Sequence, residues 1–415
     1  MATTAQTSAR YLELDAVRGF AVMGILAMNI IMMALPGGSY FNPLAYGYES
    51  LVDGAAWLFN FVFVDSKMRG LFSILFGASA ALVIERAAAS GQSPARVHYA
   101  RMLWLLVFGM IHFYFIWEGD ILALYAQCGL VLFFFRNLSI PSLRKWAIGL
   151  FSAQFLLFGL FSAMFFLFQG MADSGTADAE QLQALAEINA DFGNTPEDAN
   201  TDLQLYKGGY AEIVSHRTGE LAVVPFIAAF NAGLETLGLM LIGMALYKSG
   251  MLTGQWEMAR YRRWAVRCFA IAIPPLIAIA WLQYALGFSG VSVFASSLVL
   301  SMPFDVIMAI GWAALLIIWI KSNPDSTLIR RVACVGRAAF TNYLGTSIVM
   351  TLVFYGYGLN LYGEINRAAL YLFVFAMWAL MLLWSQPWLM RFRYGPLEWL
   401  WRSLARGKVQ RLSLG

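Results

Sequence analysis

Charged side chains are scarce in this chain. Lys, Arg, Asp and Glu make up 13% of its 415 residues, about half of the ~25% usual in a soluble domain. That excludes a disordered chain and an ordinary cytosolic enzyme. Cysteine is nearly absent, and Cys128, Cys268 and Cys334 are too scattered for a disulfide framework or a metal-ligand spacing. With only His98, His112 and His216, no metal site is expected. The chain lacks a Walker loop and a GxGxxG turn, so ATP-driven work by this chain alone is not expected. A cleavable signal peptide is not expected either, because the first apolar run is too long and lacks a clear cleavage site.

Apolar residues are abundant: 60% of the chain is hydrophobic, with a mean hydropathy of +0.65. The runs are long and unbroken, unlike the alternating strands of a membrane β-barrel. The expected fold is therefore all-α, a polytopic helical membrane protein. At about twenty residues per span, ten helices are expected, near 14–35, 68–85, 102–118, 119–135, 146–169, 221–247, 264–286, 295–320, 338–358 and 367–390. The stretch 55–64 is too short to span and is expected at the surface or re-entering beside the second helix.

Positive charge favours the cytoplasmic side. With the N-terminus inside, most of the 28 Lys and Arg residues, Arg10 among them, fall on inner segments, and only Lys67, Arg69, Lys207, Arg217 and Arg367 fall outside. Both termini are then cytoplasmic. The net charge of +4 reflects these arginines and gives no case for nucleic acid. The chain is expected to be a single membrane domain, 1–415, with an extracytoplasmic insertion at 170–220 and a basic interfacial tail at 391–415. The insertion carries ten acids, and ADAEQLQALAEINADF within it reads as a short amphipathic helix. It is either a solvated cap or functional. The Trp-rich tail reads as an anchor on the inner leaflet. The two halves show no clear repeat, which argues against an inverted-repeat transporter. A homo-oligomer stays open.

Polar residues inside spans are costly and default to functional candidates. Asp15 and Arg18 share a face near the inner end of the first helix, as interface anchor or site. Asn29, close to three turns further on, points the same way. His112 lies in the outer half of the third helix, with Trp117, Glu118 and Asp120 at its outer boundary. A histidine is the natural general base near neutral pH, and Asp120 would orient it or act on substrate itself; the alternative is a histidine that only hydrogen-bonds a neighbouring helix. The sixth helix carries Asn231 and Glu235, the eighth Asp305, each a functional group or a hydrogen-bonded buried acid. Arg337, Thr341 and Asn342 form a polar mouth at the start of the ninth. Lys67 and Arg69, positive on the outer side, would grip an anion or pair with outer acids.

The segments LELDAVRGFAVMGILAMNI, KMRGLFSILFGAS, GMIHFYFIWEGDIL, GRAAFTNYL and GPLEWLWRSL closely resemble the bacterial YeiB family, in order, from about residue 10 to 407. LDAVRGFA also resembles the start of the transmembrane acyltransferase superfamily, which includes the acyltransferase-3 proteins and heparan-α-glucosaminide N-acetyltransferase. That resemblance implies a bacterial inner-membrane enzyme that takes an acyl group from cytoplasmic acyl-CoA and passes it to an extracytoplasmic sugar, lipid or envelope acceptor. Acyltransferase-3 proteins carry a histidine eleven residues after the motif arginine, where this chain has Asn29. The heparan enzyme has an asparagine there and a histidine in the following loop, but residues 30–55 here contain none.

His112 is then the expected base, with Asp120 beside it and Asn29 as an oxyanion donor. Arg18 and Arg337 would hold the CoA phosphates. The competing expectation is a transporter or lipid-binding carrier whose pathway is lined by Arg18, Asn29, His112, Glu235 and Asp305. A structural or regulatory membrane subunit is a third.

Overall fold

The computed structural model describes residues 11–193 and 196–414. Residues 1–10, 194–195 and 415 lie outside the described residues, and with them Arg10 and the two chain ends. Among the described residues the chain is helical throughout, without a β-strand. The helices are α1 (Leu12–Ala34), α2 (Leu51–Phe59), α3 (Lys67–Ala89), α4 (Pro94–Phe115), α5 (Leu122–Leu132), α6 (Ile140–Asp173), α7 (Ala179–Ile188), α8 (Pro196–Tyr206), α9 (Tyr210–Thr218) and α10 (Val224–Lys248). They continue as α11 (Met258–Ala285), α12 (Gly290–Phe294), α13 (Met302–Ser322), α14 (Thr327–Arg337), α15 (Ala339–Phe354), α16 (Leu370–Arg391) and α17 (Pro396–Arg406).

All ten expected spans fall on helices. Seven helical stretches are long and apolar enough to cross a membrane: α1, Leu51–Ala89, α6, α10, α11, α13 and α16. Of the other three, α5 and α15 are shorter, and α4 carries His98 and Arg101 in its first half. The protein is a helical membrane protein. The stretch 55–64 belongs to α2 and a following π turn, which packs against α1, α3 and α11. The backbone turns into α3 through Ser66, at φ 58°.

The centre of the bundle is α1, with 83% of its most apolar window buried, against 11% for α6 at the periphery. Around α1 lie α3, α13, α14, α15 and α16. Glycine permits a backbone-close approach between α1 and α14. A Cβ on Gly19 would lie 1.9 Å from the Val332 carbonyl oxygen, and one on Gly336 would lie 1.8 Å from that of Asp15.

Among the described residues of 170–220 the chain is mostly helical. The segment read as amphipathic forms α7, capped by Asp178 and Gln181 in a reciprocal box. Leu185 and Ile188 on its apolar face pack with Phe158, Phe294 and Val299. The chain after α16 does not only lie on a surface. Gly395 and Pro396 start α17 and Gly407, at φ 60°, ends it. This helix packs against α4 and α15.

Candidate functional site

At the arginine-rich end of the bundle, α1, α3, α4, α14, α15 and α17 enclose a cavity of about 250 Å³. Arg18, Arg86, Arg101, Arg337 and Arg402 line it. Arg18 is held in place: Nη1 donates to Asp15 Oδ1 at 3.0 Å and Nη2 to Ser79 Oγ at 2.8 Å. Arg101 lies 4.0 Å from the Trp401 ring, a cation–π contact that fastens the tail helix to α4. Glu398 accepts from the amides of Phe340 at 2.6 Å and Thr341 at 3.1 Å, and from Thr341 Oγ1 at 2.6 Å. It thereby satisfies open N–H groups at the start of α15. Burial pushes its carboxyl up, and the hydrogen bonds oppose that shift.

Along α3 the lining runs from Arg86 to Phe72, about 21 Å at 1.5 Å per residue. The far end is closed by Phe72, Leu122, Tyr125 and Tyr343. The Tyr125 hydroxyl meets Ser73 Oγ at 2.6 Å and donates to the Arg69 carbonyl at 3.2 Å. Tyr343 donates to the Gly119 carbonyl and accepts from the Ile121 amide, each at 3.3 Å.

Behind Tyr343 is the His112–Asp120 pair. The two rings are 5.2 Å apart. Nδ1 of His112 lies 2.8 Å from Asp120 Oδ1, and the side chains are 0% and 1% exposed. A carboxylate only accepts, so Nδ1 carries the proton of the bond. Asp120 Oδ2 accepts from the Ala123 amide at 2.7 Å, so the first turn of α5 fixes the carboxylate that fixes the imidazole. Nε2 of His112 is buried without a hydrogen-bond partner. The arrangement is an imidazole oriented through Nδ1, with its second nitrogen free of protein partners. Trp117, fully buried, packs edge-on against His112.

A second cavity, of about 470 Å³, lies between α6, α10, α13 and the insertion. Two ion pairs bound its polar side. Lys67 Nζ is 2.6 Å from Asp305 Oδ1, with exposures of 1% and 5%, and Lys67 also donates to the Phe61 carbonyl. Arg69 Nη2 reaches both oxygens of Glu235, at 3.0 and 2.9 Å.

The insertion closes the C-terminal end of α4. Arg217 of α9 is fully buried, with Nη2 2.5 Å from Glu118 Oε2 and Nη1 donating to the Ile116 carbonyl at 3.0 Å. Tyr206 donates to Glu118 Oε1 at 2.9 Å. Tyr210 donates to the Phe115 carbonyl at 2.9 Å.

The expected residues therefore divide. His112 and Asp120 come together directly. Asp15, Arg18 and Arg337 meet at the arginine cavity. Asn29 is buried on α1 and shares a water-sized void with Tyr343, Thr346 and Ser347, without contact to His112 among the described bonds. Glu235 and Asp305 are neither lone nor acid–acid partnered, because Arg69 and Lys67 neutralise them. Those two cations are thereby engaged rather than waiting for an outer anion. Asn342 and Trp117 line neither cavity. Asn342 does not line the mouth: its amide bridges the Val335 carbonyl (3.1 Å), Ser385 Oγ (3.2 Å) and Trp384 Nε1 (2.9 Å), which joins α14, α15 and α16. Trp117 lines neither cavity and instead supports His112 from behind.

Sequence reading missed Tyr343, Tyr125, Glu398, Trp401 and the role of Arg101. A usable signal existed for some of them. His98, Arg101, Met102 and Leu105 fall at helical spacing on one face of α4, and Glu398 is the lone acid of a basic helix. Among the described residues no group of His, Cys, Asp and Glu is arranged to hold a metal.

A family model described as "Protein of unknown function (DUF418)" matches residues 246–408. The chain is 33% identical to the uncharacterized protein YeiB of Escherichia coli (strain K12), over 95% of this chain and 96% of that protein. It is 32% identical to the uncharacterized protein YxaH of Bacillus subtilis (strain 168), over 96% and 94% respectively. No solved structure matches. With one-third identity sustained across nearly the whole of both chains, this protein belongs to the YeiB family.

Proposed function

We propose that the protein is a transmembrane acyltransferase of the bacterial inner membrane, using cytoplasmic acyl-CoA as donor and a sugar, lipid or envelope acceptor on the far side. The observation that carries this reading is the arginine-lined cavity whose closed end abuts the Tyr343 ring, with the His112–Asp120 pair directly behind it. Arg18, Arg101, Arg337 and Arg402 suit the CoA phosphates, since guanidinium groups bind phosphate oxygens through charge-assisted pairs. The long narrow body of the cavity suits the pantetheine arm, which brings the thioester to Tyr125 and Tyr343.

His112 Nε2 then takes the proton of the acceptor hydroxyl or amine. The freed oxygen or nitrogen attacks the thioester carbon, the carbon–sulfur bond breaks, and the same proton passes from Nε2 to the CoA thiolate. Asp120 keeps the ring in the required tautomer and stabilises the imidazolium. The Tyr343 ring stands between the cavity lining and His112, 5.2 Å from the imidazole, so it must swing for the chemistry. Asn29, beside Tyr343, supplies a donor for the oxyanion once the ring has moved.

The test is calorimetric titration of the purified full-length protein with acetyl-CoA and longer acyl-CoAs. Saturable binding, weakened at least about tenfold (~1.4 kcal/mol) in Arg18→Ala, supports the reading. No binding by any acyl-CoA refutes it and moves the weight to a carrier. The observation that favours a carrier is the second cavity, which reaches Arg69 and Glu235 within the bundle.

A further inference from the structure

The second cavity has two unlike sides. Its walls are phenylalanines: Phe158, Phe161 and Phe165 of α6, with Phe192 and Phe294. Its floor is polar. Arg69, Glu235 and Asp305 face it, with Gln154 and Asn231 beside them and Asp191 at the insertion.

The polar groups are not saturated. Gln154 is 2% exposed and spends its amide N–H on the Asn231 carbonyl at 2.8 Å, which leaves its buried Oε1 without a hydrogen-bond partner. Nη1 of Arg69 is buried without one as well. Asn231 is exposed, although it sits within a membrane-spanning helix. Polar atoms left open inside a membrane protein are costly unless something fills the space.

The outer wall is α6, the helix with the least burial of any span, and exposed Leu160 and Leu167 continue its apolar surface. On α10, Phe226, Ile227 and Phe230 are exposed just before Asn231. An amphiphile reaches such a cavity from the bilayer side. The charge facing the cavity selects its head. Three carboxylates (Glu235, Asp305, Asp191) face two cations, Arg69 in the lining and Lys67 paired with Asp305, and an open amide oxygen adds a further acceptor. That balance disfavours a net anion and suits groups that donate.

Resting on the acyl-transfer reading, we infer that this cavity holds a single lipid whose head carries a hydroxyl or an amine, and that this lipid is the acyl acceptor. Its chains lie among the phenylalanines and its head donates to Gln154 Oε1, Asn231 and the carboxylates. The head sits on Arg69, and Phe72 at the closed end of the arginine cavity is three residues away on the same helix, about 4.5 Å of rise. In the transfer the acyl carbon bonds to the head's oxygen or nitrogen, the carbon–sulfur bond of the thioester breaks, and the head's proton ends on the CoA sulfur.

The experiment is native mass spectrometry of the purified full-length protein titrated with dioleoylglycerol (hydroxyl head), phosphatidylethanolamine (amine), phosphatidylcholine (neither) and phosphatidylglycerol (anionic). The expected result is a one-to-one adduct with the first or the second, at least about tenfold tighter than with phosphatidylcholine or phosphatidylglycerol. Which of the two binds tells hydroxyl from amine. Asn231→Leu, at an exposed position, and Gln154→Leu abolish the preference, while Leu167→Ala on the bilayer side of α6 keeps it. Equal adducts with all four lipids, or unchanged preference in both floor variants, overturn the inference. Acyl-CoA titration of the same samples separates the two readings. A selective lipid adduct without acyl-CoA binding keeps the lipid site and removes its acceptor role. Acyl-CoA binding without a selective lipid adduct removes this inference and leaves the acyltransferase standing.

Discussion

Replacing Arg217 by methionine should loosen the insertion from the bundle. The guanidinium is fully buried and makes an ion pair at 2.5 Å with Glu118, a hydrogen bond at 3.0 Å to the Ile116 carbonyl and a contact with the Tyr355 ring at 5.7 Å. Methionine keeps the apolar stem and removes all three. Breaking a buried ion pair from one side costs about 3–5 kcal/mol, largely because the other charge is stranded. Glu118 is 15% exposed and keeps the Tyr206 hydroxyl at 2.9 Å, so the low end applies. A cost of ~3 kcal/mol raises the population of the undocked insertion roughly a hundredfold. Hydrogen exchange of the full-length protein in detergent reads this as faster exchange of the α8 and α9 amides, while α1 and α3 amides stay protected. Arg217→Met with Glu118→Gln should recover part of the loss, because no charge is left stranded. Acceleration in α8 and α9 below about fivefold, ~1 kcal/mol, would refute the argument that this pair holds the insertion down.

Lys67→Met should destabilise the protein by about 3–5 kcal/mol, seen as a lower unfolding midpoint, and Lys67→Met with Asp305→Leu should recover most of it. If the double variant is as unstable as the single, the ion pair is not the cause. Gly336→Ala forces a Cβ to 1.8 Å from the Asp15 carbonyl oxygen, where neither backbone can yield, and should cost at least about 1–3 kcal/mol. It should weaken acyl-CoA binding too, because Arg337 follows directly. His112→Ala and Asp120→Asn should each lower turnover by about 10²–10⁴-fold with unchanged acyl-CoA affinity; lost affinity would place them in binding instead. Burial pushes the carboxyls of Asp202 and Asp191 up, and Asp202 ties the insertion to the Gly37 amide at 2.8 Å. A raised docked-state pKa favours docking below the ordinary carboxyl range of about 4 and loses that contribution as pH rises through the raised value. Protease nicking of the insertion should therefore quicken from acidic to neutral pH, and Asp202→Asn should flatten the trend.

The sequence carried the helices and the histidine well because both depend on local pattern. Long apolar runs can fold only as helices in a bilayer, and His112 and Asp120 are eight residues apart across one helix end, so their meeting needs only the short turn at Gly119. Partners far apart in the chain left no such trace. Lys67 meets Asp305, and Arg69 meets Glu235, only because α3 packs between α10 and α13. Read singly, each of the four stays open between a functional group and a paired or hydrogen-bonded residue. Asn342 misled for the opposite reason. An asparagine at a helix start beside an arginine resembles a binding mouth, but α14 and α16 meet α15 at this residue and use every arm of the amide. The tail's composition leaves its packing open, since a basic Trp-rich helix suits a lipid surface as well as it suits α4. Its one acid, Glu398, is spent on the first turn of α15, and that bond turns the tail into a wall of the arginine cavity.

The two cavities also bear on the choice between transfer and carriage. Their linings are linked through Tyr125, which lies against Phe72 and hydrogen-bonds Ser73 and the carbonyl of Arg69. A group passing from one cavity to the other has to displace side chains there, chiefly Tyr125 and its neighbour Tyr343. Moving a whole solute across would demand more. The α3–α10 contact around that point is glycine-tight: a Cβ on Gly77 would lie 2.0 Å from the Met240 carbonyl oxygen and one on Gly243 1.9 Å from that of Ile74. Helices packed backbone to backbone do not separate without losing that contact entirely, whereas aromatic side chains at a cavity end change rotamer within it. A small group handed across a thin tyrosine partition suits such a bundle better than alternating access does, and the acyl chain of a thioester is a group of that kind.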